Sequence, residues 1–388
     1  MTETLQPIKP GRLMSLDVFR GLTIAAMLLV NNAGDWGHVW GPLEHADWHG
    51  CTATDLIFPF FLFIMGVAMQ FSFAGRLAKE GGRRGVIIQI FKRTIILFSL
   101  GLILHVFADW GYMGHYRVYG VLQRIAICYF IVSFIMINTN IQGQIKYFFG
   151  FLVVYYLILK LIPSPGQTVA SLDRFKNIMD YVDTKLFGSW NYEHSETIAS
   201  MYHDPEGLIS TLGALGTTLA GGVCGYWLRR KDKNDMEKVA GMSAIGVILI
   251  IAAKLLKHDI PLNKNIWTPS YVIYTAGAAL LCLSVCYWLI DIKGWRTWAK
   301  PFLYYGTNAI AAYFGASMMA LIIVIIRVTG DGGKVMRLKT YLFAHYYKSW
   351  MPGIFGIYAT SAAYGASFVV LWCIITWILY RKKIFIKV

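Results

Sequence analysis

The sequence predicts an all-α fold: a polytopic membrane protein built as a bundle of about ten transmembrane helices, with both termini cytoplasmic. Three observations predict it. The 388 residues are 56% hydrophobic and only 15% charged, with a mean hydropathy of +0.51; a soluble domain is about 45–50% apolar and about 25% charged. Apolar windows of about 20 residues recur along the chain, the length that crosses a hydrocarbon core of roughly 30 Å. Those windows lack the alternation of barrel strands, and backbone in hydrocarbon must bond to itself, so they are helices.

The helices are expected near 13–32, 54–74, 87–107, 118–138, 147–162, 206–228, 239–256, 267–290, 301–326 and 357–380. Residues 1–12 are polar and no small-residue cleavage site follows the first apolar run, so the first helix is expected to be its own insertion signal. The connecting loops then alternate sides. One set holds Arg76, Arg83, Arg84, Arg229, Arg230, Lys231 and Arg381 and is much richer in Lys and Arg than the other, which makes it cytoplasmic. The formal charge of +15 thus reflects topology, and no nucleic-acid partner is expected. The six cysteines read as small apolar packers, with no disulfide at Cys51. The whole chain, 1–388, reads as one transmembrane domain whose outer loops 33–53, 163–205 and 327–356 cap a chamber.

That chamber is expected between the first two helices. The loop after Val30 carries His38, His45 and His49 with Asp35, Glu44 and Asp47, and no Lys or Arg. His45 is the best candidate for a general base or nucleophile, because imidazole titrates near neutral pH; Glu44 and Asp47 are available to orient it. The histidine spacing matches no compact metal motif, so no metal is expected. No phosphate-binding Gly loop or serine nucleophile elbow is present. Helix two opens with Thr52 or Thr54 as cap, Asp55 in its first turn and a kink expected at Pro59.

Charged groups at bilayer depth are costly and tend to be paired or functional. Asp17 and Arg20, three apart, read as an ion pair on one helix face. Gln123 and Arg124 should face the bundle interior, with Arg124 either neutralising a carboxylate such as Asp55 or binding an anion. Asn263, Lys264, Asn265 and Trp267 form the turn before the eighth helix. Asn308 is a lone amide that would bond a neighbouring helix.

The stretches SLDVFRGLTIAAMLLVNN (15–32), HADWHGCTATDLIFPFFLFIMG (45–66), GVLQRIAICYF (120–130), DPEGLISTLGALGTTLAGG (204–222), PLNKNIWTPSYV (261–272) and FLYYGTNAIAAYF (302–314) resemble, in order, the heparan-α-glucosaminide N-acetyltransferase family of transmembrane acyltransferases, in a short bacterial-type form. The resemblance implies a ten-helix core that moves acetyl from cytosolic acetyl-CoA, a co-substrate, to the amino group of a glucosamine-type sugar across the membrane. It places His45 on the family's catalytic histidine and Asn31 on an asparagine that assists it. Asp55, Pro59 and Arg124 match functionally or structurally important positions, with Asp55 taken as part of the catalytic set. His49 and the longer Asn31–His45 loop depart from the vertebrate pattern and bear on acceptor identity.

On this reading the coenzyme contacts are Arg93, Gln123, Arg124, Lys264 and Asn265, and the sugar contacts are Trp48, Asp204 and Glu206. Direct transfer in a ternary complex is preferred to an acetyl-histidine intermediate, since one positioned base suffices. The expected setting is a bacterial inner (cytoplasmic) membrane, among lipids, with a homodimer plausible by analogy. The alternatives are an amino-sugar transporter without acyl chemistry and an O-acyltransferase acting on a surface polysaccharide.

Overall fold

A computed structural model describes residues 13–77, 82–109, 116–198, 201–330 and 333–386. Helices fill all ten apolar segments. They are α1 (Met14–Val30), α2 (Ile57–Leu77), α3 (Gly82–Ala108), α4 (Val121–Asn138), α5 (Ile141–Leu161), α7 (Thr211–Arg229), α8 (Asp235–Leu256), α9 (Pro269–Cys286, prolonged by a π-helical stretch to Ile292), the pair α10 (Lys300–Thr307) and α11 (Ala309–Ile325), and α13 (Pro352–Arg381). Among the described residues seven helices are long and apolar enough to cross a membrane, and α10 with α11 would add an eighth span. The chain is an integral membrane protein.

The structure corrects several expected boundaries. The segment at 301–326 is two helices meeting at 85°, because Asn308 leaves helical geometry. The fifth helix starts earlier than expected, at Ile141, where the Asn140 side chain accepts from the Gly143 N–H, an N-cap that competes well with continued loop. Helix two is entered through a 3₁₀ turn, Thr54–Leu56. Pro59 therefore falls in the first turn of α2, and the Asp55 carbonyl that its missing N–H would have met accepts from the Tyr271 hydroxyl; the span runs from Thr54 to Leu77. The long loops hold structure of their own: α6 (Ile178–Phe187) and the hairpin β1–β2 (Glu193–His194 with Tyr202–His203) in one, and the hairpin β3–β4 (Arg327–Thr329 with Val335–Arg337) and α12 (Leu338–Phe343) in the other.

Glycines bring the central helices together. A Cβ on Gly66 of α2 would lie 2.0 Å from the Thr218 carbonyl of α7, and one on Gly306 of α10 would lie 1.8 Å from the Asp17 carbonyl of α1. In hydrocarbon there is no hydrophobic drive between helices, so backbone contact of this kind supplies the packing. The spans α2, α4 and α9 are the most enclosed, whereas α3, α5, α8 and α13 present most of their surface outward. The bundle has two distinct ends. At one, loops cross-link: Trp48 Nε1 donates to the Leu172 carbonyl at 2.8 Å, the Gly50 N–H to Leu262 at 2.7 Å, and the Gly34 N–H to Ser361 at 3.1 Å. From Asp55 to Arg76 the chain climbs about 30 Å at about 1.5 Å per residue, so the basic residues after α2 lie at the other end.

Candidate active site

At the cross-linked end His45 Nδ1 lies 2.7 Å from Asp55 Oδ1. Asp55 is buried, and its Oδ2 accepts from the Ala46 and Thr52 N–H groups and the Thr52 hydroxyl, at 3.0, 3.0 and 3.1 Å. The local cause is the turn ahead of α2: an acidic residue three positions after Thr52 bonds back to its N–H, half of a capping box. Acceptor-only Asp55 holds His45 with Nδ1 protonated, leaving Nε2 as the acceptor on a ring half open to solvent (side chain 51% exposed). The orienting carboxylate is thus Asp55, and not Glu44 or Asp47.

Lys264 completes the group. Its Nζ lies 3.0 and 3.2 Å from the two ring nitrogens and 3.8 Å from Asp55 Oδ1. Near-equal distances keep it off either lone-pair axis, so it acts as a charge beside the ring. The cation facing Asp55 is therefore Lys264 where the sequence reading offered Arg124. Burial pulls the Lys264 ammonium below its ordinary range, while Asp55 and Glu206 oppose the shift. The turn that carries it is tightly specified. The Ile266 N–H donates to Asn263 Oδ1 at 3.1 Å, and Trp267 takes φ 48°, a left-handed conformation that a bulky residue adopts only where packing compels it. Asn265 is half-buried in the same turn. His38 and His49 take other partners, Asp35 at 2.9 Å and Asn263 at 3.2 Å, so the three loop histidines do not converge.

A cavity of about 730 Å³ runs between α1, α2, α3, α4 and the α10–α11 pair, well within the range of small-molecule sites, about 300–1,000 Å³. Asp17, Arg20, Arg76, Gln89, Lys92 and Arg93 line one end, and Met27, Phe61, Val121, Leu122 and Tyr313 line the other. Arg93 Nε and Gln89 Oε1 are buried there without a partner among the described residues. At the far end Phe61 is six residues past Asp55, about 9 Å along the helix. Asn31, the exposed C-cap of α1, lies one turn beyond Met27 and donates its N–H to the Met27 carbonyl at 3.0 Å, which puts it on the cavity's side of the helix.

The other expected contacts are distributed differently. Of the coenzyme set only Arg93 lines the cavity. Arg124 is wholly buried; its Nη2 donates to the Gly207 carbonyl at 2.9 Å and to Ser210, and its guanidinium lies over Trp267. Gln123 Nε2 sits 3.3 Å from His105. Of the sugar set, Asp204 and Glu206 are buried against Arg117, which donates to Asp204 at 2.8 and 2.6 Å and also to Glu206. Burial works to raise the Glu206 carboxyl, but Arg117, Arg124 and Lys264 outweigh it and hold the group below its ordinary range. Trp48 is held by the Arg174 guanidinium over its ring and by His203 edge-on. Sequence reasoning missed Arg117, although a lone Arg before an intramembrane polar helix start was a signal for it.

Residues 12–182 match the model of the heparan-α-glucosaminide N-acetyltransferase catalytic family. Heparan-α-glucosaminide N-acetyltransferase of Homo sapiens is 27% identical over an alignment covering 98% of this chain and 60% of the human protein; that of Mus musculus is 26% identical over 97% and 61%. The chain is similar to this family over those residues. It spans about three-fifths of the length of the curated relatives it matches. Within the matched region lie His45, Asp55, Arg93, Arg117 and Arg124, whereas Lys264, Asp204 and Glu206 are contributed by chain outside it. The heparan-α-glucosaminide N-acetyltransferase family model thus covers the histidine and its carboxylate but not the ammonium beside them.

Proposed function

We propose that this chain is an acetyltransferase that moves acetyl from cytosolic acetyl-CoA to the amino group of a glucosamine-type sugar on the extracytoplasmic side of a membrane, with His45 as general base. The observation that carries the reading is a His45–Asp55 dyad, 2.7 Å apart, at the end of the bundle opposite the basic end of the 730 Å³ cavity. The names of the relatives supply the acceptor class. The Lys and Arg excess assigns the basic end to the cytoplasm, with the flanks of α1 and α13 on that side, and a bacterial inner membrane is the expected setting.

The donor's phosphates would face Arg20, Arg76, Lys92 and Arg93, with charge-assisted hydrogen bonds from Arg. Its pantetheine arm would lie along Ile64, Met65, Ile96 and Leu97, and its thioester would reach the end near Met27 and Phe61. The sugar arrives from the other side. Its amine, once deprotonated, attacks the thioester carbonyl carbon. His45 Nε2 removes the second proton from the new C–N centre, the C–S bond breaks, and the departing sulfur recovers that proton from Nε2, leaving an amide and a thiol. Asp55 balances the transient imidazolium, as a carboxylate does for a base histidine. The Asn31 amide and the Lys264 ammonium would donate to the developing oxyanion. A positioned base of this kind contributes about 10²–10⁴-fold.

The test is transfer across a sealed bilayer. Proteoliposomes receive labelled acetyl-CoA on the side of the basic end and glucosamine on the other. Acetylated sugar should form in wild type and fall at least about 100-fold in His45→Ala. Absence of product, or equal rates in both proteins, refutes the reading; flux of unmodified sugar would point to a transporter. Label retained on His45 after acetyl-CoA alone would assign a two-step route.

A further inference from the structure

The chain beyond α13 doubles back on the bundle. Lys383 takes φ 58°, and the N–H groups of Lys383 and Ile384 close the helix end on the carbonyls of Tyr380 and Leu379 at 3.0 and 2.9 Å, a left-handed stop of the Schellman kind. The next residues, Ile384, Phe385 and Ile386, are apolar and exposed. Asn308 holds them. Its Nδ2 donates to the Ile384 carbonyl at 3.1 Å, and the Ile386 N–H donates to its Oδ1 at 2.9 Å. Asn308 is fully buried and sits at the 85° break between α10 and α11, with φ −125° and ψ 40°. Both faces of its amide are therefore spent on backbone 76 and 78 residues away. Hydrophobic side chains on either side of the break offer no such pair of bonds.

This latch lies at the cavity. Ile386 lines its basic end beside Asp17, Arg20, Gly306 and Thr307. Gly306 and Thr307 immediately precede Asn308, and Gly306 is pressed on the Asp17 carbonyl of α1, so the wall that carries the latch packs directly on α1. Among the described residues the strap meets the bundle through the Asn308 amide, a Tyr380–Phe385 edge contact and Ile386 at the cavity. Segments with few buried contacts are the ones that open locally.

We propose that residues 384–386 form a strap across the basic end of the cavity, latched by Asn308, and that Ile386 is a wall of the acyl-donor site. Asn308 is a positioning residue: it acts through the strap and touches no reacting atom. The identity of the donor as an acyl-coenzyme A rests on the function proposed above; the strap does not.

Two measurements test it on the full chain. Ser72 lines the cavity, so Ser72→Cys places a thiol inside, and its labelling by an anionic thiosulfonate reagent is followed by mass spectrometry of the peptide. Adding Asn308→Leu, which deletes both bonds, or Ile386→Ala, which trims the wall and leaves the latch, should each speed labelling about tenfold. In the transfer assay the same changes should raise the acetyl-CoA KM about five- to tenfold, with kcat and the sugar KM unchanged, the pattern of lost uniform binding. A protein merely loosened would lose kcat and sugar affinity together. If Asn308→Leu fails to fold, Ile386→Ala on the exposed strap carries the test. Unchanged labelling overturns the strap whatever the donor. Faster labelling in a chain that transfers no acetyl upholds the strap and removes the donor reading alone.

Discussion

Asp55→Asn separates the tautomer of His45 from its mere presence. The carboxylate has two tasks: Oδ1 accepts from His45 Nδ1 at 2.7 Å, and Oδ2 accepts from two N–H groups and one hydroxyl. Asparagine can serve only one of them with its oxygen. If that oxygen faces His45, the amide NH₂ opposes the N–H groups of Ala46 and Thr52, and each buried donor left unmet costs about 1–3 kcal/mol. If the oxygen faces those N–H groups, the NH₂ faces Nδ1, and the ring must present Nδ1 as acceptor and carry its proton on Nε2. The second arrangement keeps every hydrogen bond, the one to His45 reversed, where the first loses two or three, so it wins. It also removes the lone pair that, on the proposed mechanism, takes the amine's proton. The change should therefore lower kcat by about 10³–10⁴, the loss seen when a base histidine is held in the wrong tautomer, while the protein stays folded. The assay is acetyl transfer in proteoliposomes, with thermal unfolding in detergent as the control. Activity within tenfold of wild type in a folded Asp55→Asn protein would refute the argument that Asp55 sets the base.

Arg117→Met should lower the apparent Tm sharply, because it strands Asp204 and Glu206 in a buried site; breaking such a pair costs about 3–5 kcal/mol, and a Tm within 2 °C of wild type would contradict the pairing. Arg93→Ala should raise the acetyl-CoA KM about tenfold, equal to about 1.4 kcal/mol, and leave kcat unchanged, since its Nε, without a partner among the described residues, lies in the cavity; initial rates at varied acetyl-CoA decide. Burial lifts the Asp183 carboxyl from 3.8 to about 7, against the Leu208 N–H and with help from Asp204. An acid raised in this way binds its proton more tightly folded than unfolded, so its contribution to stability is present at pH 4 and lost as pH climbs through 7. Asp183→Asn keeps an acceptor for Tyr119 and Leu208, so its Tm relative to wild type should rise between pH 5 and pH 8; a constant difference would overturn the assignment.

Some of the site was legible in local chemistry. His45 stood out as a titratable group in a loop without cations, and Asp55 sat at a helix start where an acidic residue belongs. Arg93 was readable as a cation about two turns inside the helix expected at 87–107, next to a basic loop. The roles of Arg124, Asp204 and Glu206 were not readable, because a buried charge looks the same in sequence whether its partner is a ligand or another residue. Trp48 likewise carries an aromatic face that a sugar could stack on, but the structure gives that face to Arg174. The α10–α11 segment has the composition of one span, and nothing local announces an 85° turn at Asn308.

The sequence by itself determined that this chain is helical and lies in a membrane, where most helices begin and end, and which loop holds the imidazole. Those features follow from short-range rules: hydropathy over one bilayer thickness, caps, and turns. Only the tertiary structure decided that Lys264, 219 positions away, stands against His45, that Arg117 closes on Asp204 from 87 positions away, and that six helices leave a cavity between a basic end and the dyad. Such pairings depend on how helices cross and where glycines let backbones meet, and those choices are settled by packing all the helices at once.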